Sequence, residues 1–549
     1  MISSAMPALA APDAGDILRQ QPKPPAVAPA KPAPIAPAAP EDATPDAGPK
    51  IMVKGFRIQG AVLVPASELT ELLQPLVGRE LTLRQLQVAA SQLTAYYMSK
   101  GYLARVIVPP QDIKDGIVTL QVIEGKRGAL NMQSNDAGLD SARVQRFIDQ
   151  RMQNGDAFDF RQLNTALSVL NEQPGVKVSS SIKPGQQDGE IDLLINASAK
   201  PLMEANLGAN NHGSRGTGEL QASGGVTLNN LTGNFDALSL TANLSEGTEF
   251  GRVDYSLAVG DRGLRLGVNG SAMRYHLTQN AFAALQGRGS ADTLGIAASY
   301  PLARDTDFNL SLTASVDGKH LVDHTVAGET GNRKVTVATL GLNGYTLGDL
   351  GVTSFGMSLV AGDSKQRNAG ALAADLASRQ VEGNFAKLGY TLGHLLPLDA
   401  DWRLNTSLRG QFADKNLDST ERMSLGGPSA IRAYPTGEAS GDEAWLLNLT
   451  LSRQVNDNLT GNLFLDAGGV TINRTLWATW NAGNPNLRNR YELAGLGMSI
   501  DWRISPVLLF SATLAAPLGS NPGQDINGLN SDGSVPSRTR GWISLTAQF

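Results

Sequence analysis

Cysteine is missing from all 549 residues, which removes disulfides, thiolate metal sites and cysteine nucleophiles at once. A chain without thiols suits an exported protein that stays unfolded in transit. No apolar run reaches the ~18 residues that a transmembrane helix needs. A membrane span, if there is one, must therefore be a closed β-barrel, the other architecture that satisfies every backbone group in lipid. Charged residues make up only 18% and aromatics only 5%. The net charge is −5 with a pI of about 5.7, and no Lys/Arg block stands out, which argues against a nucleic-acid partner.

Catalytic signatures are also missing. There is no G-x-x-x-x-G-K-[ST], no G-x-S-x-G, no H-E-x-x-H and no carboxylate dyad. The chain reads as a non-enzyme with no catalytic residue, no cofactor and no metal. Its five histidines, His212, His276, His320, His324 and His394, are scattered. His320 and His324 alone could share a strand face, and structural or solvated roles outweigh metal binding for them.

What is present is order along the chain. Met1 to Ala10 lacks the basic start of a secretory leader, yet Ala8-Leu9-Ala10 before Ala11-Pro12-Asp13 resembles a cleavage site. Residues 1–11 are read as the remainder of a signal peptide or a disordered start. Residues 12–21 follow as a short helix with Asp13 as N-cap and Ile17 and Leu18 as its bulky apolar side chains. So short a helix is marginal alone and needs a surface to pack on. Residues 22–50 form a Pro/Ala tract expected to run as polyproline II. At ~3.1 Å per residue it reaches on the order of 90 Å, long enough to cross a membrane pore.

Residues 51–127 and 128–200 read as two copies of one α+β unit. In the first, a strand over Ile51 to Gln59 precedes a helix opened by Pro65. A second helix is started by the capping box Thr82/Gln85 and ended by Gly101. Strands at Tyr102 to Val108 and Ile117 to Ile123 complete it. The second copy has helices from Ser141 to Met152 and from Asp159, then strands at Val176 to Ile182 and Ile191 to Ala197.

From Pro201 onward, period-two alternation takes over. Leu238, Leu240, Ala242 and Leu244 alternate with Ser239, Thr241, Asn243 and Ser245, and the last segment ends on the aromatic Phe549. Dyads of ~10 residues between Gly/Asn/Asp turns mark strands with a lipid face and a polar lumen face. At ~22 residues per strand and connection, residues 201–549 hold roughly sixteen strands, an even number as closure of an antiparallel barrel expects. A soluble β-sandwich or propeller is the competing architecture.

Two segments concentrate the chemistry of this region. Leu425-Gly426-Gly427-Pro428-Ser429-Ala430-Ile431-Arg432-Ala433-Tyr434 lies in a long connection, about 413–441, and Phe464-Leu465-Asp466-Ala467-Gly468 lies on an alternating strand. Parity puts Thr460, Asn462, Phe464 and Asp466 on the lumen face. A carboxylate there is well served by a guanidinium from a loop folded inward, and Arg432 is the candidate. Equally, Arg432 reads as a solvated loop residue and Asp466-Ala467-Gly468-Gly469 as a hairpin turn.

The order Leu-Gly-Gly-x-x-x-Ile-Arg-x-Tyr, then Ser440-Gly441-Asp442, then Phe-x-Asp-x-Gly, resembles the BamA-like superfamily of barrels with POTRA domains. Within it the chain is similar to the two-partner secretion transporters of the haemolysin secretion/activation type. The first unit matches through Tyr96-Tyr97, Gly101-Tyr102, Pro109-Pro110-Gln111-Asp112 and Val122-Ile123-Glu124-Gly125. The second matches through Leu170-Asn171, Pro174-Gly175-Val176, Pro184-Gly185 and Gly189, and Pro12 to Gln20, with Asp13, Ile17, Leu18 and Arg19, resembles the plug helix.

The resemblance implies a transmembrane β-barrel behind two periplasmic POTRA domains, with Arg432 and Asp466 as a lumen lock. It implies export of a large partner exoprotein, an adhesin, cytolysin or contact-dependent toxin, through the Gram-negative outer membrane. The barrel assembly machinery and outer-membrane lipid are the other expected partners, and a monomer the expected state. An insertase of other barrels is the runner-up. A passive porin would not need residues 51–198. One departure stands out: Ala433 replaces the glycine that usually follows the arginine. If that position needs a positive φ, Ala433 strains the loop tip.

Overall fold

The computed structural model describes residues 11–23 and 48–549. The signal-like stretch up to Ala10 and the Pro/Ala linker from Pro24 to Ala47 lie outside the described residues. The first helix, α1, spans Ala14–Arg19 and is capped by Asp13, whose carboxylate accepts from the amides of Gly15 and Asp16 at 2.9 and 3.0 Å.

Two small α+β units come next. Strands β1 (Lys50–Met52), β2 (Gly55–Gln59), β3 (Glu80–Thr82), β4 (Ala104–Ile107) and β5 (Ile117–Glu124) accompany helices α2 (Ala66–Leu73) and α3 (Leu83–Ser99). The capping box at the start of α3 forms as expected, with Thr82 and Gln85 each accepting from the other's backbone amide. The sheet runs β2-β5-β4, with β2 parallel and β4 antiparallel to β5. The second unit repeats this plan with β6 (Lys126–Asn135), α4 (Ser141–Asp149), α5 (Phe160–Asn171), β7 (Val176–Pro184) and β8 (Glu190–Ala199), in the order β6-β8-β7. Its opening strand β6 is not among the strands expected from the sequence. The reason is visible in its register, which slips twice against β8 and scrambles the alternation. The expected strand 51–59 is also broken, between β1 and β2.

The remainder closes into a barrel of sixteen antiparallel strands, from Met203–Asn210 to Arg540–Gln548, which pair with each other. Phe549 finishes the closure by exchanging backbone hydrogen bonds with Ala205 at 2.8 and 3.1 Å. The alternation sorts side chains as expected: Leu240, Leu244, Leu294 and Ile296 face outward, whereas Asn243 and Asn309 are buried on the lumen side. Only one α-helix interrupts the barrel region among the described residues, α6 (Ala369–Leu376), in a long connection. Period-two alternation on both sides hides it in the sequence, although Asn368 caps it through the amide of Ala371.

The second unit is fastened to one end of the barrel. Arg304 donates from Nε to Glu172 at 2.5 Å, and Thr165 donates to the Arg304 carbonyl at 2.6 Å. Phe235, in the first short hairpin of that end, enters the core of the unit and meets Phe147 edge-on at 6.0 Å between ring centres. Turns at this end are short. The long connections, including 414–442 and 472–489, gather at the other.

Candidate functional site

The barrel lumen holds two occupants, and the first is the connection between strands Trp402–Ala413 and Glu443–Asn456. Its Gly/Pro/Ser-rich stretch folds back inside because its tip is a tight turn: Ile431 donates to the Leu425 carbonyl at 2.7 Å and Ala430 to that of Gly427 at 3.0 Å. Gly427 sits at φ +129, in the region that favours glycine. Gly426 is packed so closely that a Cβ there would strike the Pro435 carbonyl. Leu425, Ile431 and Tyr434 are buried against Leu446, Phe464 and Leu493 of the wall.

This turn brings Arg432 to Asp466. The carboxylate is fully buried and accepts from Arg432 Nε at 2.9 Å, Nη2 at 2.7 Å and the Arg432 backbone amide at 3.0 Å. A fourth bond comes from Asn448 Nδ2 at 2.8 Å. The guanidinium also lies flat over the Phe464 ring, 3.4 Å from its centre, which adds a cation–π contact to a bidentate pair. The Arg432 carbonyl accepts from Trp542 Nε1 at 2.8 Å, tying the loop to the last strand. Asp466 and Gly468 thus lie on a continuous strand, Leu459–Thr471, and not in a hairpin turn.

Ala433 sits without strain. It is not among the residues of positive φ, and its methyl fills the place where a Cβ on the facing Gly495 would stand, 2.5 Å away. A glycine of the wall has made room for the alanine of the loop. Gly468 plays the same part: a Cβ there would stand 2.7 Å from the Trp445 carbonyl and 3.0 Å from Leu425. Gly468→Val is therefore expected to push the loop off the wall, an overpacking penalty of ~1–3 kcal/mol. Trypsin added to intact cells should then cut within residues 414–442 of the variant and spare the parent.

The second occupant is α1. Ile17 is buried among Phe250, Met273, Tyr275, Leu321 and Val335 of the lumen wall, with Leu18 packed beside it. Gly15 lets the helix lie against Ser419 and Thr420, with no room for a side chain. Arg19 donates to Ser440 Oγ at 2.8 Å and to the Ser419 carbonyl at 3.2 Å, so the helix touches the loop as well as the wall. Its cap residue does more. Asp13 Oδ2 accepts from Arg333 Nη2 at 2.9 Å, while Arg333 donates to Asp418 of the loop at 2.6 Å and to Asp323 of the wall at 2.8 Å. One guanidinium holds helix, loop and wall together.

Arg333 and Asn448 were not singled out from the sequence. The first is joined to partners 10, 85 and 320 residues away, so no one spacing carries a signal. For Asn448, counting back from the Asp457-Asn458 hairpin pairs Asp466 with Leu449. The extra residue at Val455, a bulge, shifts the register so that Asn448 faces the carboxylate.

Most of the singled-out residues of the α+β units lie at joints. Gly101, at φ +90, packs on Arg161 of the second unit, and its carbonyl accepts from the Phe160 amide. Tyr102 bridges to Asp159, and the Gly125 carbonyl accepts from Phe158 at 2.8 Å. Pro174 and Gly175 turn the chain from α5 into β7, and Gly175 at φ +77 meets Asn230 of the barrel. Glu124 and Gln111 instead hold the first unit together. Glu124 accepts from the amides of Val62 and Leu63 and from the Tyr97 hydroxyl; burial and this carboxylate push the Tyr97 phenol above its ordinary range. Gln111 mimics a backbone partner for Thr119, next to the exposed Pro110.

Residues 189–494 match the family described as haemolysin secretion/activation protein ShlB/FhaC/HecB, and residues 51–125 match its ShlB-type POTRA domain. The heme/hemopexin transporter protein HuxB of Haemophilus influenzae is 28% identical over 477 residues, which are 83% of this chain and 82% of that protein. The hemolysin transporter protein ShlB of Serratia marcescens is 27% identical over 485 residues, 84% of each. The solved structure of CdiB from Escherichia coli has the same fold, with a TM-score of 0.69 at 21% identity over 93% of each chain. With more than half of its length matched, the chain belongs to the haemolysin secretion/activation family, the outer-membrane transporters of two-partner secretion, with its POTRA domains in the periplasm.

Proposed function

We propose that the resting pore is closed by α1 and by the loop carrying Arg432, and that both yield when a partner exoprotein engages. The observation that carries this reading is the shared Arg333, which binds Asp13 of the helix and Asp418 of the loop on one guanidinium. The partner's unfolded N-terminal segment first meets the POTRA pair, residues 51–127 and 128–200, by adding a strand to an exposed sheet edge. It then threads the barrel, residues 201–549. Export draws no ATP, since the periplasm has none, and folding of the cargo outside supplies direction. The linker, residues 22–50, lets residues 12–21 leave the lumen without detaching.

The cargo is a single large exoprotein, an adhesin, cytolysin or contact-dependent toxin; likeness to a heme/hemopexin transporter adds an exoprotein of heme acquisition to these classes. We assign the chain no catalytic step, a monomeric state, and dependence on the barrel assembly machinery for insertion. The helix in the lumen favours export over insertion of other barrels. Deleting residues 12–20 is expected to raise single-channel conductance in planar bilayers severalfold; unchanged conductance would show that α1 does not obstruct the pore.

A further inference from the structure

The outer wall of the barrel carries a depression that neither transport nor the lumen explains. Across four neighbouring strands, Val316, Ala338, Ala361 and Ala386 face each other in one row on the lipid side. The next row towards the periplasm reads Ala314, Leu340, Leu359, Leu388 and Phe412. Other parts of the lipid face carry small residues singly between large ones, as Ala512 lies between Ile500 and Ile543. Here the small row sinks beneath the large one and leaves an open apolar depression of about 790 Å³ on the lipid side, a volume within the size range of ligand sites.

Its position along the strands matters. The two units at the periplasmic end fix the direction of the barrel, and the alanine row is the last apolar row before the polar positions Thr336, Asp363 and Asn384. The cavity is thus at acyl-chain depth in the outer leaflet. One step further out, about 13 Å beyond Ala338 at ~3.3 Å per residue, His320, Lys334 and Lys365 stand side by side across three strands. Lys365 shares an ion pair with Asp363 at 2.9 Å, and Asp292 stands opposite His320. Asp414 at the far rim is turned to the Ala386 amide. Lys334 is exposed and has no ion-pair partner among the described residues.

We propose that this face binds a phosphorylated, multiply acylated glycolipid of the outer leaflet, with its acyl chains in the alanine cavity and a phosphate on Lys334 and Lys365. Apolar floor and cationic rim are spaced as acyl chain and headgroup are. A basic cluster at a membrane surface attracts anionic headgroups.

Native mass spectrometry of the full chain in detergent, with purified lipid A as probe and phosphatidylethanolamine as competitor, tests this. The parent should hold lipid A in preference. Ala338→Leu with Ala361→Leu, which fills the cavity, should lower retention about tenfold, and Lys334→Gln with Lys365→Gln should lower it about tenfold while leaving phosphatidylethanolamine binding unchanged. Ala512→Leu, on the outer face between Ile500 and Ile543, serves as the control and should change nothing, and heat-modifiable migration verifies that each barrel is folded. Equal lipid A retention in all variants, a preference for phosphatidylethanolamine in the parent, or a dimer abolished by the cavity-filling pair would overturn the proposal.

Discussion

Arg432→Ala and Asp466→Ala are each expected to lower export about tenfold or more while the barrel still inserts, because each strands one member of a desolvated pair, a penalty of ~3–5 kcal/mol. Asp466 is the more severe of the two. It is fully buried and gathers four hydrogen bonds, so its removal strands the Arg432 guanidinium and amide and leaves Asn448 with the Ala430 carbonyl alone. Arg432→Ala leaves the carboxylate with Asn448 and the backbone amide of residue 432, and no cation. Loop displacement follows in both, since the tip then keeps its apolar contacts and bonds to its backbone carbonyls from Arg409, Asn448 and Trp542 but no ion pair. The pair is identified by coupling: the double variant should be no worse than the poorer single one. Losses that simply add would mean that the two residues act separately. Heat-modifiable migration and surface labelling of the barrel distinguish failed export from failed assembly.

How far the sequence led can be judged on this same pair. Parity along Leu459 to Asp466 placed the carboxylate in the lumen, because the side-chain period of a strand is two and nothing between those residues disturbs it. The capping residues Asp13 and Thr82 were legible for a similar reason, as their partners lie within three residues. Contacts between remote segments were not. Asp13 and Asp418 reach the Asp323–Arg333 pair of one hairpin only after the barrel has closed, and Phe235 reaches the periplasmic core from a hairpin that reads as an ordinary turn. The departure at Ala433 shows the limit well: its acceptability rests on Gly495, in another strand, and no local rule connects the two.

Arg333→Ala is expected to open the resting channel as fully as deletion of residues 12–20. Without the guanidinium, Asp13, Asp323 and Asp418 face each other without their shared cation, and loss of a buried ionic partner costs about 3–5 kcal/mol. Against this, α1 keeps one large buried side chain, Ile17, worth ~1.5–3 kcal/mol, the Arg19 bonds to the loop, and hydrogen bonds from Ser419 Oγ to Asp13 and from the Ala14 amide to Asp323. The charge term wins. Of the three carboxylates, Asp13 can leave most readily, since it belongs to a helix of six residues that is marginal outside its site, whereas Asp323 is fixed in a strand and Asp418 in a loop anchored at Asp466. Planar-bilayer conductance should therefore rise for Arg333→Ala, and adding the deletion should raise it no further, because both changes empty the same volume. If the deletion added a second increment of equal size, Arg333 would be holding the loop rather than the helix. Conductance at the parental level would remove Arg333 from gating altogether.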